Sequence, residues 1–211
     1  LEARAIIESG QLGEVQHVDS WLGYPIDGPF GKLVTADPNH WVRRLPGGLF
    51  QNTISHPLYR ITDLLTDANP QVWATWFNKL PEIPFPTELR AHLRGESVTG
   101  SLVFTSTTKP CHRLVRIHGT KAGLEVDLNS QQVRFDRSDK FPGALGRLES
   151  AWRQRSEAAR NLRKTIKRFV RGQFHYFGGM KELFELFYQA IEDKTEPPIK
   201  FDEIQIGRAH V

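Results

Sequence analysis

Residues 46–57 organise the chain, and they read Pro46-Gly47-Gly48-Leu49-Phe50-Gln51-Asn52-Thr53-Ile54-Ser55-His56-Pro57. A Pro-Gly-Gly turn leads into an apolar pair, which is followed by an amide, two hydroxyls and a histidine. Ser55 or His56 can cap a helix, and Pro57 fits at or near a first helical turn, where a missing N–H costs nothing. The apolar spacing that follows predicts an amphipathic helix over 58–65.

Strand-like segments lie on both sides of this turn. One precedes it at 13–24, and the others follow at 71–79, 88–95, 97–107, 113–128 (two short strands around 119–123) and 132–135. Segment 88–95 alternates, which places Leu89, Ala91 and Leu93 on one face. Segment 71–79 carries large apolar residues on both faces, so we expect it to be covered on both. Short loops between sequential strands favour antiparallel pairing.

The remaining segments are interpreted as helices and one loop. Residues 1–9 predict a helix closed by Gly10, since glycine readily adopts the left-handed conformation that stops a helix. Apolar residues spaced four and three apart from 148 to 169 predict a long basic helix that ends at Gly172, and residues 180–191 predict a final amphipathic helix. Residues 25–39 are rich in proline and glycine and are predicted to form a loop.

The order of these segments favours an α+β fold, because strands are followed by helices without an alternating βαβ rhythm. We predict a mostly antiparallel open sheet with helices packed on one face, plus the long basic helix. The sequence contains no G-x-G-x-x-G, so it has no dinucleotide-binding fingerprint. The open face of such a sheet must be covered, and we expect a homo-oligomer to pair through it, with Trp73 and Phe77 as candidates for that surface.

The net charge of +4 comes from one element. Residues 147–171 hold nine Lys/Arg and two Glu, whereas the rest of the chain holds 19 basic and 22 acidic residues. A basic amphipathic helix can lie on an anionic membrane or on nucleic acid. We favour a solvated face on a helix that packs on its own domain or on a partner subunit, and we do not expect nucleic acid or membrane contact through 147–171.

Membrane spans and disulfide chemistry are excluded by composition. The longest apolar runs are too short to cross a bilayer. The single cysteine, Cys111, excludes an internal disulfide framework and fits a reducing, cytoplasmic location. Neither a His-x-x-x-His nor a His-Glu pairing supplies a metal geometry, so no metal site is predicted.

His56 is the candidate catalytic residue. Imidazole gives or takes a proton near neutral pH, and the positive end of a helix disfavours its charged form, so His56 is suited to act as a neutral base. Gly47 and Gly48 allow the backbone to approach a ligand closely, and Asn52 can hold a substrate carbonyl or hydroxyl. The alternative is a histidine that only caps a helix beside a turn.

Aromatic and basic residues precede the glycine turn. Trp41, next to His40, can form one side of a sugar-binding site because the faces of pyranose rings stack on aromatic rings. Arg43 and Arg44 can meet a carboxylate or phosphate of the substrate. The alternative, a core tryptophan and two solvated arginines, is equally compatible with the sequence.

A spacing pattern spread over the first two thirds of the chain resembles a known family. It comprises Gly10-x-Leu12-Gly13-Glu14-Val15, Trp41, then Gly47-Gly48-x₃-Asn52-x₃-His56, and finally Val72-x-Ala74. This pattern is similar to the C-terminal domain of the glucose–fructose oxidoreductase / inositol dehydrogenase (Gfo/Idh/MocA) family, whose members depend on NAD or NADP and in many cases act on sugars. The resemblance covers roughly residues 1–135 and the last helix.

The resemblance implies roles for individual residues. His56 matches the histidine that transfers the proton beside the nicotinamide, so Gly47 and Gly48 are expected near the cofactor. Asn52 and Tyr59 stand where the family often has aspartate, and with Trp41, His40 and Arg44 they are expected to contact a small sugar-like substrate. An amide cannot act as a base, although it can orient a substrate by hydrogen bonds.

The resemblance also implies a domain organisation. Residues 1–205 are expected to form a substrate-binding and oligomerisation domain with a helical insertion at 140–175, whereas 206–211 resemble a non-native tail. A Rossmann domain with the glycine fingerprint and a Glu-Lys-Pro motif is expected upstream, so the 211 residues alone are expected to bind NAD or NADP weakly and to be inactive. The alternative is a non-catalytic binding or scaffold domain of the same fold, whose basic helix contacts an anionic partner.

Overall fold

The computed structural model describes residues 2–53, 55–65, 67, 69–173 and 178–198. The chain divides into two compact units, Leu1–Ser138 and Asp139–Val211. The predicted tail at 206–211 lies outside the described residues.

The first unit is built on a seven-stranded sheet with the order β2-β3-β4-β1-β5-β6-β7. The strands are β1 (Val15–Gly23), β2 (Gln71–Phe77), β3 (Glu88–Arg94), β4 (Thr99–Thr105), β5 (Arg113–Gly119), β6 (Ala122–Asp127) and β7 (Gln132–Arg137). Every neighbouring pair is antiparallel except β1 and β4, which run parallel. The predicted α+β fold with a mostly antiparallel open sheet is therefore confirmed.

Short helices accompany this sheet in the first unit. They are α1 (Glu2–Glu8), α2 (Pro29–Ala36), a 3-10 helix (Trp41–Arg44), α3 (Gly48–Thr53) and α4 (Ser55–Thr62). The helix predicted at 1–9 is confirmed as α1, and Gly10 follows it with φ of +70°. The helix predicted at 58–65 is confirmed as α4, although it begins three residues earlier.

The interpretation of 25–39 as a loop was wrong, because α2 lies within it. Gly28 stands at the N-cap and Pro29 follows in the first turn, where proline favours rather than breaks a helix. Phe30 and Val34 are four residues apart and face the core: Phe30 packs against it and Val34 is fully buried.

The glycine turn at the start of α3 is held by packing. Gly48 has φ of +51°, a conformation that other residues rarely adopt. A Cβ at Gly48 would lie inside the ring of the buried residue Phe85. Gly48 is therefore needed both for its positive φ and for the space that Phe85 occupies. The residues after it form helix α3 rather than a flexible turn.

Helix α4 packs on the central strands of the sheet. Ile61 of α4 is fully buried, and a Cβ on Gly100 of β4 would lie 2.5 Å from its Cγ2 atom. Gly100 pairs with Val18 on β1, which is also fully buried. Burial of a side chain of this size contributes roughly 1.5–3 kcal/mol, so this contact fixes α4 over β1 and β4. The buried residues on the same sheet face are Leu22, Leu89, Ala91, Leu93, Leu102, Phe104, Val115, Ile117 and Leu124.

The opposite face of the sheet is open. Trp73 and Phe77 of the edge strand β2 are 55% and 38% exposed, and every residue of β2 is exposed. The expectation that segment 71–79 is covered on both faces was therefore wrong for this chain, because β2 lies at the edge of the sheet. A polar network continues along the open face, where Asp19 contacts both His17 and His118 at 3.2 Å.

The second unit contains α5 (Gly143–Val170) and α6 (Gly178–Asp193). Helix α5 covers the predicted basic segment, and Gly172 follows its end with φ of +62°. Its apolar stripe is exposed and includes Leu148, Trp152, Leu162, Ile166 and Phe169. Within the described part of the chain, no helix has both the length and the apolarity to cross a membrane.

We predict that Gly48→Ala lowers the free energy of unfolding by about 2–4 kcal/mol, because alanine adds both left-handed strain and a clash with Phe85. Gly10→Ala is the matched control, since Gly10 also has positive φ but nothing lies within 4 Å of its added Cβ. The control is expected to lose only about 1–2 kcal/mol. Urea denaturation measures both losses, and equal losses would contradict the packing role of Phe85.

Candidate functional site

The site lies where the first turn of α4 meets the carboxyl end of β1. Ile61 lies over the paired residues Gly100 and Val18. Arg113 of β5 pairs with Leu22, which is four residues further along β1. Four residues of strand span about 13 Å. His56 precedes Ile61 by five residues, or about 7.5 Å of helix. Asp67, five residues after α4, accepts a hydrogen bond from the backbone N–H of Glu96 between β3 and β4, so the last turn of α4 points to that end of the sheet and its first turn points toward Arg113.

His56 is exposed on the first turn of α4. Partial desolvation lowers the pKa of its imidazole, and the positive charges of Arg60 and Arg113 lower this pKa further. The expected direction of the shift is present, but its causes are burial and two arginines rather than the helix N-terminus alone. A neutral, accessible imidazole can accept a proton from a substrate hydroxyl.

Arg60 lies one helical turn after His56, and residues at this spacing are neighbours on a helix surface. Its Nη1 atom is buried and has no hydrogen-bond partner among the described residues. Burial, and then the charge of Arg113, lower the pKa of Arg60 to about 10. Arg60 is therefore still a cation at neutral pH.

Asn52 and Tyr59 are both exposed. Asn52 lies near the end of α3, and Tyr59 lies three residues after His56 on α4, a spacing that places the two side chains on neighbouring parts of one helix surface. Tyr59 is 43% exposed, so its ring is accessible to a ligand. The roles of both residues in substrate binding stay predictions.

His40 and Trp41 form an aromatic pair before the glycine turn. Their rings stack with centroids 5.9 Å apart, and the His40 ring also meets Phe30 edge-on at 5.7 Å. His40 Nδ1 accepts a hydrogen bond from the backbone N–H of Val42, so His40 also caps the 3-10 helix. Trp41 is 54% exposed, which removes the alternative of a core tryptophan.

Arg43 and Arg44 differ in what they contact. Arg43 Nη1 donates hydrogen bonds to the carbonyl oxygens of Val34 and Thr35 at the end of α2, at 3.3 and 3.1 Å. Arg43 is thereby engaged as a helix cap. Arg44 is exposed, and it is the arginine of this pair that stays a predicted substrate contact.

Gly47 and Gly48 are both buried, and side chains of the same chain fill the space around them. The backbone N–H of Gly47 donates to Gln51 Oε1 at 3.1 Å, and a Cβ at Gly47 would lie 3.3 Å from the Trp76 ring. Packing therefore explains why both positions are glycine. Their proximity to a cofactor stays a prediction.

His17 and His92 have ordinary partners on the sheet. His17 Nδ1 lies 2.6 Å from Thr99 Oγ1, and Ser101 Oγ lies 3.1 Å from His17 Nε2 and 3.4 Å from His92 Nδ1. Among the residues that the structure describes, no group of three or more His, Cys, Asp or Glu could hold a metal ion.

The sequence matches the GFO/IDH/MocA C-terminal domain over residues 1–125. The chain belongs to this family. The resemblance to this family is thereby confirmed. No curated protein matches the sequence.

Solved structures share the fold of this GFO/IDH/MocA domain. An inositol dehydrogenase homologue from Azotobacter vinelandii, complexed with NAD+, has a TM-score of 0.53 and 19% identity over 67% of this chain and 38% of its own. The WlbA dehydrogenase from Bordetella pertussis, complexed with NADH and UDP-GlcNAcA, has a TM-score of 0.53 and 20% identity over 67% and 44%. A levoglucosan dehydrogenase complexed with NADH and levoglucosan has a TM-score of 0.50 and 18% identity over 63% and 39%. The chain thus spans less than half the length of these proteins.

Sequence reasoning missed Arg60 and Arg113 as the two cations whose charges act on His56. The spacing of Arg60, four residues after His56, was a usable signal, because such residues are neighbours on a helix. Arg113 gave no local signal, because its proximity depends on the pairing of β5 with β1.

We predict that Arg113→Gln raises the pKa of His56, because it removes a positive charge that disfavours imidazolium. Histidine titration by NMR measures the change, and His56→Asn identifies the signal. Arg94→Gln is the matched control, since it removes an equal charge from an exposed position that pairs with Gln71 and Thr99 on the far side of the sheet. An unchanged His56 pKa in Arg113→Gln would contradict the assigned electrostatics.

Proposed function

We propose that residues 1–138 form the substrate half of the active site of an NAD- or NADP-dependent oxidoreductase that acts on a sugar or sugar-like alcohol. One observation carries the proposal: a family histidine, His56, is exposed on a helix end while burial and two arginines hold its pKa down. Such a residue is suited to deprotonate a hydroxyl at neutral pH.

In the proposed reaction, His56 removes the proton from the substrate hydroxyl as a hydride leaves the same carbon. A bound nicotinamide would supply the hydride acceptor. Asn52 would orient the substrate by hydrogen bonds, since an amide has both donors and an acceptor. The exposed rings of Trp41 and Tyr59 would contact the faces of the substrate.

The nicotinamide cofactor is proposed to be held mainly outside these 211 residues. This assignment is supported by the missing G-x-G-x-x-G and by the backbone N–H of Gly47, which is already bonded to Gln51. The similar solved proteins carry NAD+ or NADH, which supports a nicotinamide cofactor without separating NAD from NADP. Their other ligands, which include UDP-GlcNAcA and levoglucosan, support a sugar-like substrate class.

A second candidate function is a non-catalytic binding or scaffold domain of the same fold. Asn52, where the family often has a carboxylate, favours this candidate because an amide cannot stabilise imidazolium by charge. The basic residues of α5 would then meet an anionic partner. The two candidates differ in whether the wild-type protein turns over a sugar with NAD or NADP at all.

The open sheet face is proposed to pair two copies of the chain. Trp73 and Phe77 expose large apolar surface there, and Arg90 lies over the Phe77 ring at 5.6 Å. A large exposed aromatic patch rimmed by charged residues is typical of a protein interface.

We predict that His56→Asn lowers kcat of the full-length protein about 10²–10⁴-fold with little change in KM, because the proton acceptor is lost while the site keeps its shape. Oxidation of a panel of sugars in the presence of NAD or NADP measures the change through absorbance of the reduced cofactor.

His92→Asn is the control for this substitution, since His92 faces the open side of the sheet and contacts Ser101 rather than the site. It is expected to keep the wild-type rate. Equal kcat values for His56→Asn and wild type would contradict His56 as the proton acceptor, whereas no turnover of any sugar by the wild type would favour the scaffold function. Turnover without added NAD or NADP would contradict the cofactor assignment.

We predict that Trp73→Glu converts an oligomer into monomers, because it places a charge in the centre of the proposed interface. Light scattering coupled to size exclusion measures the mass. Val72→Glu is the matched control, since Val72 is 56% exposed on the same strand but faces the other side of the sheet. A wild-type protein that is monomeric at micromolar concentration would overturn this interface.

A further inference from the structure

Arg60 is an unusual arginine in this chain because its guanidinium is partly buried without an acceptor. A guanidinium carries five N–H donors and a permanent charge at neutral pH, so burial without a partner is unfavourable. Arg60 Nη1 is buried and has no hydrogen-bond partner among the described residues. Buried polar groups are nearly always hydrogen-bonded in folded proteins, so Arg60 Nη1 is a candidate for a bond to a bound group.

Other arginines in the same unit have carboxylate partners. Arg90 Nη2 lies 3.1 Å from Glu88 Oε2, and Arg116 Nε lies 2.7 Å from Glu125 Oε2. Glu125 also meets Arg134 at 3.1 Å. Glu88 of β3 and Glu125 of β6 thus neutralise these arginines, whereas Arg60 Nη1 has no hydrogen-bond partner among the described residues.

Arg113 supplies a second cation on the sheet face that α4 covers. It is half-buried at the first position of β5, on the same face as the buried residues Val115 and Ile117, and it pairs with Leu22 near the end of β1. Its positive charge lowers the pKa of both Arg60 and His56. Two like charges in a partly desolvated place repel each other, and a bound anion would relieve both this repulsion and the missing hydrogen bonds.

We propose that Arg60 and Arg113 form an anion-binding subsite beside His56, and that the substrate carries a carboxylate or a phosphate group. The subsite is assigned to the substrate on the basis of the function proposed above. Arginine binds both anions through two parallel N–H···O bonds, which gives orientation as well as affinity.

The spacing of Arg60 and His56 limits where the anion lies on the substrate. Their Cβ atoms are about 6 Å apart, as for any residues one helical turn apart. The anionic group is therefore held within one sugar ring of the hydroxyl that His56 deprotonates. A uronic acid or a sugar phosphate satisfies this geometry, and a neutral polyol does not use the subsite.

The test is a calorimetric titration of the full-length protein with three probes: D-glucose, D-glucuronate and D-glucose 6-phosphate. The wild type is expected to bind at least one of the two anionic probes about 10-fold or more tightly than glucose, because charge-assisted bidentate bonds are added. The stronger of the two anionic probes identifies a carboxylate or a phosphate as the natural group. Arg60→Gln and Arg113→Gln are each expected to remove this preference.

Arg94→Gln is the matched control, because it removes one positive charge from an exposed position. Arg94 ends β3 and pairs with Thr99, which lies beside the start of β1 and so at the end of the sheet opposite the site. It is expected to keep the preference for the anionic probe. If Arg94→Gln also loses the preference for the anionic probe, the net charge of the protein explains that preference, and the subsite is overturned. Equal affinity of the wild type for all three probes, or binding of none of them, would also overturn it.

Thermal stability gives an independent measurement. Removal of a partly buried, unpaired charge is expected to raise the Tm of Arg60→Gln by about 2–4 °C, and the anionic probe is expected to raise the Tm of the wild type but not of Arg60→Gln. A structural arginine would behave in the opposite way, since its loss would lower the Tm. A lower Tm together with unchanged probe affinity would contradict a ligand-binding role.

The outcomes separate this inference from the proposed function. His56→Asn should keep the anionic preference, because Arg60 and Arg113 are intact. A protein that loses turnover in His56→Asn but binds glucose and glucuronate equally has the proposed function without the anion subsite. A protein that keeps both turnover in His56→Asn and the anionic preference has the subsite without the proposed proton acceptor.

Discussion

The packing of α4 on the sheet is the constraint on which the site depends. Gly100 has no side chain, so Ile61 approaches the backbone of β4 closely and α4 rests over the β1–β4 pair. This contact sets how closely α4 approaches the sheet. The first turn of α4 lies toward the carboxyl end of β1. This contact and the fully buried Pro57 in the first turn of α4 position His56 and Arg60.

The same position determines the electrostatics of the site. Partial burial lowers the pKa of both His56 and Arg60. The positive charge of Arg113 lowers both pKa values further. The consequence for His56 is useful, since a neutral imidazole can accept a proton. The consequence for Arg60 is a destabilising, unpaired cation. Such a cost in stability at Arg60 is consistent with the proposed anion subsite, because functional sites commonly reduce stability.

Local patterns in the sequence predicted much of this fold, and long-range contacts account for the rest. Alternation over 88–95 was sufficient to predict β3, and the combined spacing pattern from Gly10 to Ala74 was sufficient to find the family. The loop interpretation of 25–39 failed because Pro29 is favourable in the first turn of α2. Local sequence carried no information on the edge position of β2 or on the approach of Arg113, because both follow from the strand order.

The central claim is that His56 is the proton acceptor of a hydride-transfer site. The distance from its imidazole nitrogen to the reacting hydroxyl, in a crystal structure of the full-length protein with NAD and D-glucuronate, tests it most directly. We predict a distance of about 2.6–3.2 Å, with the nicotinamide on the other side of the same carbon. A substrate bound with its reacting carbon against another proton acceptor, and with His56 outside hydrogen-bond reach, would contradict the account.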